Sequence, residues 1–106
     1  MQPIQFSKRV GKTIQNGQIT VPKEFDSILD KHLKCPEGVS IDVDYRIGDK
    51  GVFKGRIYQS INNTTSYYQF YLIDSSDKKI FKDFCERAVN IHIKFEIEEK
   101  FLLISK

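Results

Sequence analysis

The chain has 106 residues and a formal net charge of +3, with 40% hydrophobic, 12% aromatic and 29% charged residues. That length supports one hydrophobic core, no apolar run reaches the ~20 residues of a membrane span, and MQPIQFSKRV lacks an apolar signal-peptide core. A single soluble, cytoplasmic globular domain with no membrane partner is expected over residues 1–106, and Cys35 and Cys85 are too few for a disulfide framework.

In chain order, two short β-runs lead to Val21-Pro22 and read as an opening hairpin. Pro22 then stands where proline is tolerated, in the first turn of a helix. Phe25, Ile28, Leu29 and Leu33 give that helix one apolar stripe, and KCPEG, with Pro36, stops it. Val39, Ile41, Val43, Tyr45 and Ile47 alternate with Ser40, Asp42, Asp44 and Arg46, the period of a half-buried strand. Gly48 to Gly51 is a turn. Val52–Ile61 and Tyr67–Ile73 form a hairpin around the polar tip NNTTS.

In DSSDKKIFKDFCERA, Ser76 or Asp77 is the expected N-cap of a second helix, with Ile80, Phe81, Phe84, Cys85 and Ala88 as its buried stripe. Val89 to Glu98 alternates again, and after Glu98-Glu99-Lys100 the run FLLIS is the last strand. The order ββαβββαββ is mainly β with two helices, and seven short strands favour a closed or nearly closed barrel plugged by helices.

No catalytic constellation stands out. His32 and His92 have no nucleophile beside them in sequence, and Cys85 on an apolar stripe reads as a small core residue. His32, Cys35 and Cys85 make at most a partial zinc set without Cys-x-x-Cys spacing, and there is no glycine-rich phosphate loop. We therefore expect no metal, no cofactor and no enzymatic activity in this chain.

Charge is unevenly placed. Residues 1–25 carry Lys8, Arg9, Lys12 and Lys23 against Glu24 alone. Residues 26–50 are net acidic, and residues 51–73 carry Lys54 and Arg56 with no acid. The acid-free tip YQSINNTTSYYQ concentrates amides, hydroxyls and aromatic rings, and the first hairpin repeats that composition with added bases. Asn and Gln can read adenine edges, and Ser, Thr and Tyr can hold phosphates or bases. Two such hairpins in one domain point to a nucleic-acid surface.

With these segments in view, the chain resembles the DNA-binding pseudobarrel family of plant B3 domains and of the effector or recognition domains of bacterial restriction enzymes such as EcoRII. RVGKTIQNGQITVPKEFDSIL is similar to the family's opening strand pair and its Val-Pro step into a helix. VFKGRIYQSINNTTSYYQFYL is similar to its central hairpin, and DKKIFKDFCERAVNIHIKF to its second helix and following strand. The family's usual Gly-Asp before that strand is replaced by Val89-Asn90.

The resemblance implies a seven-stranded open pseudobarrel that grips double-stranded DNA in the major groove with two hairpin arms. It places Ser7, Lys8, Arg9, Lys12, Thr13, Gln15, Asn16, Gln18 and Lys23 on or beside the first arm. Lys54, Arg56, Gln59, Ser60, Asn62, Asn63, Thr64, Thr65, Ser66, Tyr67 and Gln69 fall on or beside the second. It further implies sequence-specific binding by a monomeric domain. This would be a stand-alone binder or the N-terminal module of a bacterial restriction endonuclease, McrBC-like among the options, whose further domains or subunits cut.

NGQITVPKEF is also similar to the signature of AbrB-type regulators and antitoxins, which build a barrel by swapping hairpins between two chains. Here some seventy further residues supply a second hairpin, a second helix and two more strands, which favours a self-closed barrel.

Overall fold

The computed structural model describes residues 2–33, 39–62 and 65–106, with the backbone alone at 61 and 62. The KCPEG segment with Cys35 and Pro36, the tip residues Asn63 and Thr64, and the side chain of Asn62 lie outside the described residues. The strands are β1 (Ile4–Arg9), β2 (Gln18–Thr20), β3 (Ser40–Ile47), β4 (Val52–Asn62), β5 (Thr65–Leu72), β6 (Asn90–Glu96) and β7 (Phe101–Ser105). The helices are a single turn α1 (Lys12–Gln15), then α2 (Asp26–Leu33) behind a 3-10 turn at Lys23–Phe25, and α3 (Ser75–Cys85).

All seven strands join one curled, open sheet in the order β1-β6-β7-β3-β4-β5-β2. This is the mainly-β, seven-stranded open pseudobarrel that the family resemblance implies, whereas the strand count by itself favours a closed or nearly closed barrel. Every pairing is antiparallel except β3 with β7.

The opening hairpin does not form. β1 pairs with β6 and β2 with β5, so the two strands occupy opposite edges of the sheet. Each finds a longer-range apolar partner: Ile4 and Phe6 face Phe95 and Ile93, and Ile19 faces Phe70. The connection between them is instead α1, pinned by the buried Ile14 and packed against α3.

Two local expectations also shift. Pro22 has an extended backbone, ψ 142°, and stands before the helical turn. The N-cap of α3 is Asp74, whose Oδ1 accepts from Ser76 N at 2.7 Å and Asp77 N at 3.4 Å. A carboxylate there satisfies orphan N–H groups and complements the helix dipole. Of the predicted stripe on α2, Leu29 and Leu33 are buried and Phe25 is half-buried against Phe6, whereas Ile28 is exposed.

Inside the sheet, Tyr45, Phe70 and Phe95 form an aromatic line. Tyr45 meets Phe70 edge-on with centroids 6.4 Å apart, and Phe70 meets Phe95 at 4.9 Å. Burying one such ring contributes about 1.5–3 kcal/mol. The Tyr45 ring lies against the backbone of Gly55. A Cβ at Gly55 would fall 2.5 Å from the ring and 2.8 Å from the carbonyl oxygen of Tyr71. The turn between β3 and β4 uses Gly48 and Gly51 at φ 50° and 124°, where side chains are disfavoured.

Cys85 lies buried on α3, and burial pushes its thiol up to about 11, with Lys106 pulling weakly the other way. Burial likewise holds the Tyr45 hydroxyl well above the usual phenol range.

Gly55→Ala is expected to lower stability by about 1–3 kcal/mol through overpacking, read as a lower urea midpoint at unchanged m-value. In a Cys35→Ser background, Cys85 should resist a thiol reagent at pH 8 until urea unfolds the chain. Because its folded pKa is raised, the stability it contributes is whole below the ordinary value of 9.0 and is lost as pH climbs toward about 11. Melting temperatures measured across that alkaline window would show the decline.

Candidate nucleic-acid interface

The candidate first arm comprises the end of β1, α1 and β2. Gly11 opens α1, whose closing bonds run from Gln15 N to Gly11 O (3.0 Å) and from Gly17 N to Ile14 O (2.9 Å). Gly17, at φ 86°, then turns the chain beside β5, and its carbonyl accepts from Leu72 N at 3.2 Å. A shallow cleft of about 260 Å³ results, lined by Lys8, Arg9, Lys12, Thr13, Gln18 and Thr20. Among the described residues, no carboxylate lies within ion-pair range of Lys8, Arg9 or Lys12. Asn16 is exposed and Gln15 half-buried at the end of the same turn.

Gln18 joins this cleft to the outer face of the sheet. With Ser40, Tyr58 and Tyr71 it lines a second groove of about 360 Å³. The registers place Gln18 opposite Tyr71 and Tyr71 opposite Arg56, and in the next row Thr20 opposite Gln69 and Gln69 opposite Tyr58. Tyr58 donates its hydroxyl hydrogen to Gln69 Oε1 at 2.6 Å and packs edge-on against Tyr71 at 5.1 Å. Burial, and after it the neighbouring Tyr67, raises the Tyr58 pKa, so this hydroxyl stays a donor at neutral pH. Gln69 is itself buried.

The candidate second arm is the β4–β5 ribbon. Its pairing continues as far as Asn62 opposite Thr65, so the strands run further into NNTTS than expected. Strand alternation puts Lys54, Arg56, Tyr58 and Ser60 on the outer face of β4, and Thr65, Tyr67, Gln69 and Tyr71 on that of β5. Gln59 and Ser66 fall on the other face of the ribbon. Of the tip, Asn63, Thr64 and the Asn62 side chain lie outside the described residues.

Four of the sequence-selected residues have different surroundings from those above. Ser7 is on the outer face of β1, its Oγ 2.7 Å from His92 Nδ1. There it lines a separate groove of about 610 Å³ with Arg46, His92 and Lys94. Lys54 and Arg56 are not free cations. Lys54 Nζ is 2.8 Å from Asp44 Oδ1, and Arg56 Nε is 3.3 Å from Asp42 Oδ1, with Arg56 Nη1 donating to Ser40 Oγ at 3.4 Å. Burial raises the Asp26 carboxyl's pKa, and Lys23, exposed at the start of the 3-10 turn, offsets part of that rise.

Sequence reasoning passed over Thr20, Ser40 and Tyr71 as surface partners of Gln18 and Tyr58. The β3 alternation held the signal for Ser40, Asp42 and Asp44, since it set them on one face of the strand preceding β4.

No protein-family model and no curated protein sequence matches this chain. Among solved structures, a chain of an Arabidopsis FUS3–DNA complex is similar to it with a TM-score of 0.54 and 15% identity, over 95% of each chain. At that identity the likeness is one of fold, and it runs through the whole domain: a half-barrel of the plant B3 type.

Proposed function

We propose that this chain is a sequence-specific, double-stranded DNA-binding domain that holds the duplex between its two arms. The observation that carries the reading is the layout of the outer face of β2, β5 and β4. A cationic cleft without an acidic partner among the described residues stands at one end, the acid-free polar tip at the other, and a floor of Gln18, Tyr58, Gln69 and Tyr71 lies between. Along β5, six residues separate Thr65 at the tip from Tyr71 beside the first arm. At ~3.4 Å per residue that is about 20 Å, enough to straddle a major groove about 12 Å wide. The similar Arabidopsis chain was solved bound to DNA, which supports the same partner here.

Lys8, Arg9 and Lys12 neutralise phosphates in this reading, and the amides and hydroxyls of the arms read base edges. The domain acts as a monomer. Its resemblance to restriction-enzyme recognition domains supports a role as the reading module of a bacterial restriction system, with cleavage supplied by other domains or subunits.

Binding to labelled duplexes, measured by anisotropy across a salt series, tests this directly. Lys12→Ala should weaken binding to every sequence alike and flatten the slope of log K against log salt by about 1. Replacing Asn62, Asn63 and Thr64 together with alanine should leave that slope intact and erase discrimination, at roughly 1–3 kcal/mol for each bidentate hydrogen-bonded base that is no longer read. Salt-insensitive binding to a duplex selected from a random pool would sink the proposal.

A further inference from the structure

We propose that Asp42 and Asp44 form an electrostatic border to the DNA face: they keep Arg56 and Lys54 compensated, so that these cations add almost nothing to phosphate binding. The inference rests on the DNA-binding reading above.

The geometry is a cross-strand pairing in register. Asp42 stands directly opposite Arg56 and Asp44 directly opposite Lys54 along β3 and β4. Both ion pairs close, and Ser40 holds a second nitrogen of the Arg56 guanidinium. All four side chains are exposed, with Asp42 at 86% and Lys54 at 80%. Exposed pairs of this kind contribute little to stability, so their main effect is on the field outside the protein. A phosphate that approaches Arg56 meets the Asp42 carboxylate beside it, and the local charge of each pair is near zero. Few counterions are then released when a duplex covers this part of the surface.

Lys8, Arg9 and Lys12 differ, because no acid pairs with them among the described residues. The attraction is therefore stronger on the first-arm side of the face, and a duplex that slides across β4 onto these neutralised pairs gains little. Non-specific binding to any phosphate backbone is held down, while base contacts from the arms are unaffected. The border thus widens the gap between the chosen site and other DNA.

The test compares the parent domain with an Asp42→Asn/Asp44→Asn variant, using a fluorescein-labelled random duplex and a selected duplex over a salt series. An Asp83→Asn/Glu86→Gln variant adds the same net charge near the C-terminal end of α3, where Phe84 packs under Gly48 of the β3–β4 turn. An Asp42→Glu/Asp44→Glu variant keeps the charge, and circular dichroism confirms the fold of each. Freeing two cations should steepen the salt slope by about 2 and tighten random-duplex binding about tenfold or more at low salt. The selected-to-random ratio should shrink, with the α3 and Glu variants staying near the parent. If the parent binds and the Asn variant keeps its slope, or moves only as far as the α3 variant, the border is refuted and the DNA reading stands. A parent that binds neither duplex at any salt overturns both.

Discussion

The Tyr45 ring resting on the backbone of Gly55 is the constraint around which the sheet is arranged. Tyr45 is completely buried, and only a residue without a Cβ lets β4 pass over it while the Tyr71 carbonyl stays close behind. That close approach brings the aromatic line of Tyr45, Phe70 and Phe95 into edge contact across the interior. It also fixes the exterior, because Gly55 lies between Lys54 and Arg56. Once Gly55 is set over the ring, strand alternation turns both cations outward, opposite Asp44 and Asp42. One internal packing contact thus decides which charges meet on the surface.

A second constraint is that β1 and β2, neighbours in sequence, close the two ends of the sheet. The connection has to cross the seam of the half-barrel, and a tight hairpin turn cannot span it. α1 does so with one buried side chain, Ile14, and a left-handed glycine, Gly17. The arm that carries Lys12 and Thr13 is therefore not the tip of a two-stranded ribbon. It is a strap held at both ends by β6 and β5, which leaves its polar side chains outward and its backbone anchored.

The legible parts of the fold were those with local periodicity. The alternation of β3 and β6 and the stripes of α2 and α3 mark where those elements form, although Ile28 of the α2 stripe is exposed and Ala88 of the α3 stripe lies beyond the helix end. Pairing partners were not legible where they depend on distant residues. Ile19 finds Phe70 rather than a β1 residue because burial rewards that contact, and nothing within residues 4–20 encodes it. Asp74 was passed over as N-cap because Ser76 and Asp77 are equally good cap residues in composition, and only the path of the chain after β5 separates them. The charge map failed for a related reason. Counted along the chain, an acidic stretch separates two basic ones, but the β3–β4 turn folds the acidic stretch onto the second basic one. The second basic stretch is therefore compensated on the surface.

What both arms share is β5. On one side it pairs along its whole length with β4 and so carries the tip; on the other it receives β2 at Tyr71 and the Gly17 carbonyl at Leu72. The separation of the arms is therefore set by the length of one strand, with its inward side chains Tyr68, Phe70 and Leu72 fully buried. Tyr68 also donates to Asp30 on α2, tying the middle of the strand to the helix that follows β2. A spacing fixed by a buried strand costs little ordering when a ligand arrives, because the conformational entropy was already given up on folding. Between its ends, the Tyr58–Gln69–Tyr71 cluster is already bonded and packed. The spacing of the two candidate arms and the packing of the core thus follow from the same strand, β5.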